Sequence, residues 1–222
     1  MNIETAVLAR RSVRAFLDTD VDASVLRRVL GNALRAPSGG NLQPWQLHVV
    51  TGGRLQELKA LMRQVAAQGT REPAEYDIYP NELGTPYRDR RFAIGESMYA
   101  TLGIPREDRA ARHRWFARNF EFFGAPVGLF CTIDRQMGPP QWSDLGMLLQ
   151  TVMLLLTAEG LASCAQECWA LYPQTVGRFL ELPQEQMLFA GMAIGHEDRS
   201  HPVNSLQSPR VDPREVIRFV GD

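Results

Sequence analysis

The chain has 222 residues, of which 45% are hydrophobic and 22% are charged, and its 24 Lys and Arg residues nearly balance 25 Asp and Glu residues. This composition is typical of a folded globular protein and excludes a chain that is disordered over most of its length. The net charge of -1 argues against a protein whose main partner is a nucleic acid, because such proteins neutralise many phosphates at once.

The first part of the sequence predicts short helices that alternate with extended segments. The predicted elements are a helix over 3–10, an extended piece over 13–16, a helix ending near Arg35, a strand over 45–52 and a helix over 54–67. Asp20 or Asp22 is expected to cap the second of these helices. Neighbouring elements of opposite period favour an α+β fold.

The middle of the chain begins with a segment that has no sustained periodicity. Residues 68–87 contain three prolines and two glycines and therefore predict a long loop or lid. Loops of that length are more often functional than decorative. Two helices are predicted to follow, over 88–102 and 106–123.

The last part of the chain predicts three strands and one strongly apolar helix. The predicted elements are a strand at PVGLFCTI, a helix over 141–159, a strand at LASCAQEC, a helix at QTVGRFLEL and a strand at MLFAGMAIG. Gly160 is expected to end the apolar helix. Its apolar run is short for a membrane span and contains Gln150, Thr151 and Thr157. We therefore expect a helix that is buried on nearly all sides, in the core or between two subunits, and we expect no membrane partner.

Residues after Gly195 are mostly polar up to an amphipathic stretch over 216–220. We expect this tail not to fold on itself but to lie along another surface, for which a partner subunit is the natural candidate. Because no repeat, low-complexity tract or linker divides the chain, a single domain over 1–222 is predicted.

The cysteine and histidine residues predict a reduced protein without a metal. Three cysteines cannot all pair, and no secretory leader pattern stands at the N-terminus, so we expect the cytoplasm as the location. Cys164 and Cys168 lie in or beside an apolar strand and are expected to be buried, inert thiols rather than nucleophiles. None of the four histidines stands at metal-ligand spacing with a cysteine or a second histidine.

Three common motifs are absent, but four separated segments form a set. The chain has no G-x-G-x-x-G after a strand, no G-x-x-x-x-G-K-[ST] and no G-x-S-x-G. Taken alone, LARRSVRAF is either a solvated helix end or an anion site. Together with APSGGNLQPWQ, GLASCAQECW and NSLQSPR, it resembles the flavin-binding signature of the nitroreductase family, the FMN-dependent NAD(P)H oxidoreductases. NFEFFGAPVGLF, QWSDLGMLLQTVMLLL and CAQECWALYP are most similar to the branch that includes nitrobenzoate reductases.

The resemblance implies a fold, an assembly and an activity. The fold would be α+β with a central, mostly antiparallel sheet flanked by helices, in an intertwined homodimer with an extended C-terminal tail. The activity would be the reduction of nitroaromatic or related electron-poor aromatic compounds by NADH or NADPH through FMN, in ping-pong two-electron steps. Alternatives on the same scaffold are a quinone, free-flavin or enone reductase and a reductive dehalogenase. An alternative of another class is a non-catalytic FMN-binding protein.

The first segment would grip the cofactor. The resemblance makes Arg10 and Ser12 ligands of the FMN phosphate with Arg11 contributing nearby, and it places Arg14 at the pyrimidine edge of the flavin. Guanidinium groups suit this task because they offer permanently charged donors in a fixed fork.

A strand and the C-terminal segment would complete the same site. Ala165, Gln166 and Glu167 match the piece that passes the N5 side of the flavin, with a backbone N–H at or next to Glu167 as donor, although family members often have proline in place of Ala165. Arg210 matches a further phosphate ligand, and Ser208 stands where better-known members often carry a lysine.

The remaining candidates come from the middle of the chain. Arg118 or Asn119 matches a polar contact to the flavin ring. Trp142 either covers the open face of the flavin and shapes the substrate pocket or packs in the core. The residues expected to reach the flavin of the neighbouring subunit are Pro37, Ser38, Gly39, Asn41 and Gln43. No side chain is assigned as catalytic, because the flavin carries the chemistry.

Overall fold

The structure, a computed structural model, describes residues 1–221 and is built around a four-stranded sheet. The strands are β1 (Trp45–Thr51), β2 (Val127–Asp134), β3 (Ala162–Gln166) and β4 (Gln186–Gly195). Their order in the sheet is β1-β2-β4-β3, and every neighbouring pair is antiparallel. The four predicted strands and the α+β class with an antiparallel sheet are thereby confirmed.

The described residues form eight α-helices. They are α1 (Ile3–Ala9), α2 (Ala23–Ala33), α3 (Gly52–Ala67), α4 (Tyr87–Thr101), α5 (Arg109–Ala117), α6 (Pro139–Ala158), α7 (Pro173–Leu180) and α8 (Pro213–Val216). Of the two candidate caps for α2, Asp22 is the one used, since its Oδ1 accepts a hydrogen bond from Ser24 N at 2.7 Å. Gly160 follows α6 with a φ of 74°, as expected of a residue that ends a helix.

The helix predicted over 106–123 is wrong at both ends. Asp108 starts α5 by accepting a hydrogen bond from Ala111 N, and the helix gives way to a 3-10 turn over Arg118–Gly124. In that turn Phe122 and Phe123 have φ of 52° and 55°, which an α-helix does not allow. Their rings are fully buried, and the burial offsets the unfavourable backbone.

Two hydrophobic clusters occupy the two faces of the sheet. On one face α2 and α6 pack against β2 through aliphatic side chains such as Leu129, Leu148 and Val152. On the other face α3 and the turn after α5 pack in a cluster that includes six buried aromatic side chains. A Cβ at Gly191 would lie 2.3 Å from Trp169, so this glycine lets the indole ring approach the sheet. The two clusters explain why PVGLFCTI is apolar without alternation.

The apolar helix α6 has six buried residues, and its remaining surface is partly buried or exposed. Its buried side faces the sheet and it contacts α1 and α2, so one side of the helix lies in the core. The predicted burial on nearly all sides is wrong within one chain. Across residues 1–221, the structure contains no helix with the length and apolar character needed to cross a membrane.

The prediction that the C-terminal tail does not fold on itself is wrong for residues 196–206. Leu17 N donates to His196 O at 2.9 Å, and Asp198 N donates to Ala15 O at 3.1 Å. A 3-10 turn follows over Pro202–Ser205 and buries Val203. This part folds back through hydrogen bonds rather than through a large apolar face, which is why its polar composition concealed it. From residue 207 the chain is mostly exposed.

Candidate functional site

The arginine segment at the N-terminus is held along the edge strand β3. Ser12 and Ser163 form a parallel β-bridge, and Val13 N donates to Ser163 O at 3.0 Å. Phe16 forms a second bridge with Glu197. These backbone bonds place the predicted phosphate segment beside the predicted flavin strand, as the resemblance requires.

Asn204 fixes the middle of this segment. Its Oδ1 accepts from Arg14 N at 2.9 Å, and its Nδ2 donates to Ala15 O at 2.9 Å and to Asp198 O at 2.8 Å. The side chain is only 4% exposed, so the amide is dedicated to this junction. Sequence reasoning missed Asn204, although it begins the NSLQSPR segment that carries part of the resemblance.

The three arginines of the segment differ in how far their charge is compensated. Arg11 forms an ion pair with Glu197 at 2.5 Å. Among residues 1–221, the Arg10 guanidinium has no hydrogen-bond or ion-pair partner, and that of Arg14 reaches only Ser12 O at 3.4 Å. Two positive charges are therefore available to an anion beside β3.

The charges of Arg10 and Arg14 influence the pKa of the Cys164 thiol in β3. Burial raises its pKa to about 11, the nearby carboxylate of Glu167 adds to the rise, and the charges of Arg14 and Arg10 oppose it. Burial raises the pKa of Cys131 to about 12 as well, so neither thiol is an activated nucleophile. All three cysteines are free.

At the end of β3, the Gln166 side chain is buried and the Glu167 side chain is exposed. Gln166 is buried, its Nε2 donates to Asn119 O at 2.8 Å, and its Oε1 accepts from Trp169 Nε1 at 3.3 Å. The Gln166 side chain is therefore not free to meet a ligand, and its backbone is paired with Gly191 of β4. Ala165 is half-buried, and Glu167 is exposed at the first position of the 3-10 turn Glu167–Leu171.

Arg118 and Asn119, the two alternatives for a ring contact, have different surroundings. Asn119 is engaged by Gln166 and donates through Nδ2 to Phe116 O at 2.8 Å. Arg118 Nε is buried, and no described residue accepts from it. An unused buried donor is costly in a finished site, so Arg118 is the better candidate for a ligand contact.

The PSGGN turn is exposed and held from beneath. Ser38 Oγ accepts from Gln43 N at 3.0 Å, and Gly39 N donates to Asp144 Oδ1 at 3.2 Å. Asn41 and Gln43 have positive φ and exposed side chains, while Pro37 is exposed beside them. Asp144, which sequence reasoning missed, is only 4% exposed and supports this turn from α6.

The predicted pocket residue Trp142 belongs to a group of three aromatic side chains. Its ring centroid lies 5.6 Å from that of Tyr76 and 6.0 Å from that of Phe189. Its Nε1 is buried with no acceptor within residues 1–221.

The C-terminal candidates Ser208 and Arg210 are exposed. Arg210 Nη1 donates only to carbonyls of its own turn, Ser208 O at 2.9 Å and Pro209 O at 3.0 Å. Within one chain the described contacts do not join this turn, or the PSGGN turn, to the N-terminal arginines.

Comparison with known proteins agrees with this arrangement. The sequence model of the nitroreductase family matches residues 7–196 of this chain. A 4-nitrobenzoate reductase of Pseudomonas putida is 37% identical over 220 residues, covering 99% of this chain and 96% of that protein. A nitrobenzene nitroreductase of Ectopseudomonas oleovorans is 35% identical, with 99% and 97% covered.

Two solved structures are similar along nearly the whole chain. The FMN and NADPH-dependent nitroreductase NfnB from Sphigopyxis sp. strain HMH superposes with a TM-score of 0.97 at 52% identity, covering 100% of both chains. The FMN-dependent nitroreductase NfnB from Mycobacterium smegmatis, in complex with NADPH, has a TM-score of 0.94 at 29% identity, with 98% and 97% covered. Because the family model spans most of the chain and relatives of 35–37% identity are covered almost completely, the chain belongs to the nitroreductase family.

Proposed function

We propose that this protein is an FMN-dependent oxidoreductase that uses NADH or NADPH to reduce nitroaromatic or related electron-poor aromatic compounds. Family membership supports the reaction class, and the relatives in the nitrobenzoate and nitrobenzene reductase branch support the acceptor class. The observation that carries the proposal is the pair of uncompensated guanidinium groups, Arg10 and Arg14, held beside β3.

FMN fits the groups that the chain offers. Its phosphate is an anion, and the free guanidinium groups beside β3 would otherwise leave positive charge without a partner. Its ring carries several hydrogen-bonding atoms, and the buried Arg118 Nε is a donor without an acceptor among residues 1–221. The residues we assign to the phosphate are Arg10, Ser12, Ser208 and Arg210, and those assigned to the ring are Arg14, Arg118, Ala165, Gln166 and Glu167.

When bound, FMN supplies hydride transfer from the nicotinamide to the acceptor. The positive charge of Arg14 would stabilise negative charge that develops on the ring. A backbone N–H at or next to Glu167 would donate to the ring, while the Gln166 side chain fixes the end of the strand to Asn119. Arg11, already paired with Glu197, contributes less to the phosphate than Arg10 does.

We also propose a homodimer, in which Pro37, Ser38, Gly39, Asn41 and Gln43 approach the partner's cofactor. The support is apolar surface that one chain leaves open: Ile3 and Leu8 of α1 are more than three-quarters exposed, and so is Phe219 near the C-terminus. Light scattering coupled to gel filtration tests it, and a monomer at micromolar concentration would contradict it.

We make two further proposals, one about the domain organisation of the chain and one about its location in the cell. All four strands belong to one sheet and both clusters pack on it, which supports a single domain over 1–222. The three free cysteines support a reducing compartment such as the cytoplasm.

A sequence of spectroscopic steps tests the activity. The purified protein is expected to be yellow and to bleach when NADH or NADPH is added anaerobically, and a nitroaromatic is expected to restore the colour. Colour restored only by a quinone, free flavin, enone or halogenated aromatic would assign one of the other reductase reactions. A yellow protein that neither nicotinamide bleaches would be a binding protein, and a colourless one that takes up no FMN would refute the flavoprotein.

A further inference from the structure

The sheet is incomplete at one edge of β4, and a loop segment takes the place of a strand. Strand β3 ends at Gln166, opposite Gly191, whereas β4 begins five residues earlier along the sheet at Gln186. At this bare edge Leu188 N donates to Glu75 Oε1 at 3.4 Å, and the Tyr76 hydroxyl donates to Phe189 O. Side chains from the predicted lid thus satisfy an edge that would otherwise be open.

A paired arginine holds Glu75 in this position. Arg135 Nη1 and Nη2 both lie 2.7 Å from the carboxylate oxygens of Glu75, whose side chain is only 8% exposed. The backbone fixes both partners further, because Glu75 N donates to Ala170 O at 3.0 Å and Arg135 Nε donates to Gln184 O at 2.9 Å. A bidentate pair in such surroundings sets the orientation of Tyr76, the next residue in the chain.

A second carboxylate anchors the same segment three residues earlier. Glu72 accepts from Gln174 N at 2.7 Å and from Thr175 N at 3.1 Å in the first turn of α7, and also from the Thr175 hydroxyl. Residues 72–76 are therefore fixed, in contrast to the rest of the predicted lid. Tyr79, in that other part, is half exposed and lies under Arg91 at 3.9 Å.

The fixed segment ends in an aromatic surface beside the predicted flavin strand. The Tyr76 ring lies 5.6 Å from Trp142 and 5.9 Å from Phe189, and all three are only partly buried. They pack on the same hydrophobic cluster as Ala165. Burial, and after it the charge of Glu167, raise the pKa of the Tyr76 phenol, in keeping with its position next to the end of β3.

We propose that Tyr76 is a specificity-determining residue that stacks on the aromatic acceptor, and that Glu75 and Arg135 are its positioning residues. This inference rests on the proposed function. A phenol face is electron-rich and prefers an offset, electron-poor ring, which is the character of a nitroaromatic. The Tyr76 hydroxyl already donates to Phe189 O, so Tyr76 selects by its ring and transfers no proton.

Two measurements on the FMN-loaded protein separate binding from electron transfer. The first is calorimetric titration of the oxidised protein with 4-nitrobenzoate, which reports binding without turnover. The second is reoxidation of dithionite-reduced protein by 4-nitrobenzoate and by ferricyanide, an acceptor with no ring to stack. Tyr76→Ala is expected to weaken nitrobenzoate binding about fivefold to tenfold and to leave ferricyanide reoxidation unchanged.

Three further variants serve as controls or test the positioning residues. Tyr76→Phe keeps the ring and is expected to bind within about twofold of the parent. Tyr79→Ala removes a tyrosine of the same loop whose ring contacts Arg91 rather than Trp142, and it is expected to leave nitrobenzoate binding unchanged. Glu75→Gln weakens the pair with Arg135, and is expected to raise KM for nitrobenzoate about twofold to fourfold with the ferricyanide kcat intact.

The inference is overturned if Tyr76→Ala binds nitrobenzoate as tightly as the parent, or if Tyr79→Ala weakens binding equally. If Tyr76→Ala unfolds, Tyr76→Leu fills the same space without an aromatic face, and its unchanged binding would have the same meaning. Failure of the proposed function looks different: ferricyanide then reoxidises the parent protein and no nitroaromatic does, whatever residue stands at position 76.

Discussion

The two segments predicted to supply arginines to one phosphate are built in opposite ways. The N-terminal segment is bonded to β3 through Ser163 and to the folded part of the tail through Asn204. The C-terminal turn is exposed, and Arg210 contacts only the carbonyls of its own turn. The first segment is thus held in place by the chain itself, whereas the second has no such support within one chain.

This difference separates preorganised binding from binding that must order the protein. When an arginine on a fixed segment binds the phosphate, the protein loses little conformational entropy. Arg210, in contrast, must give up two hydrogen bonds to carbonyls, and its turn must become ordered. We infer that Arg10 contributes most of the phosphate affinity and that Arg210 completes the site after the cofactor or the partner subunit has arrived.

The largest expected effect comes from removing the support of the fixed segment. Asn204→Ala leaves Arg14 N, Ala15 O and Asp198 O without their partner in a buried junction, and we expect it to lower the free energy of unfolding by about 2–4 kcal/mol and to reduce FMN retention. Urea unfolding and the flavin absorbance of the purified protein measure both. Gln207→Ala, exposed in the same tail, is the control, and equal stability of the two variants would disprove the role of Asn204.

The next effect separates the two arginine segments directly. Arg10→Ala is expected to weaken FMN binding on the order of 10- to 100-fold, because it removes a charge-assisted contact from a preformed site. Arg210→Ala is expected to weaken binding about threefold to tenfold. Arg35→Ala, exposed just after α2, is expected to leave the affinity unchanged. Fluorescence titration of apoprotein with FMN gives the three dissociation constants, and a larger loss for Arg210→Ala would reverse the comparison.

A smaller effect distinguishes neighbours within the fixed segment. Because Glu197 already neutralises Arg11 at 2.5 Å, we expect Arg11→Ala to weaken FMN binding no more than about threefold. In a Glu197→Ala background the guanidinium is released, and the same substitution is expected to cost more. The double-mutant cycle measured by FMN titration tests this coupling, and identical losses in both backgrounds would mean that Glu197 does not restrain Arg11.

A last effect, on stability rather than on cofactor binding, is a pH dependence that reports the charges beside β3. The Cys164 pKa is raised from 9.0 to about 11, so the folded state holds this proton more tightly and the resulting stability is complete below about pH 9. It is lost as the pH rises toward 11, and Cys164→Ala is expected to flatten that decline by up to about 1.4 kcal/mol per pH unit.

The same pH titration also distinguishes the N-terminal arginine segment from the C-terminal turn. Arg14→Ala removes a charge that opposes the rise in the Cys164 pKa, so the decline still begins near pH 9 but continues to higher pH. Arg210→Ala is expected to have no such effect. Urea unfolding between about pH 8 and 12 measures both, and an unchanged decline in Cys164→Ala would contradict the assignment to this thiol.

Local sequence patterns accounted for most of the fold. The four strands, the apolar helix α6 and its ending at Gly160 follow from periodicity and turn residues, which act over a few neighbouring positions. The helix predicted over 106–123 was wrong because burial of the Phe122 and Phe123 rings outweighs local helix preference. The folded tail escaped prediction because backbone hydrogen bonds and the buried amide of Asn204 hold it, rather than a periodic apolar face.

The sequence by itself determined the family, the α+β class and the residue types available to an anionic flavin cofactor. Only the tertiary structure decided how those residues are used: Arg11 meets a carboxylate 186 positions away, the Gln166 side chain turns inward to Asn119, and Glu75 meets Arg135. The physical reason is that periodicity states which side of an element faces the core. Which distant charge or amide a side chain meets there depends on how the elements pack.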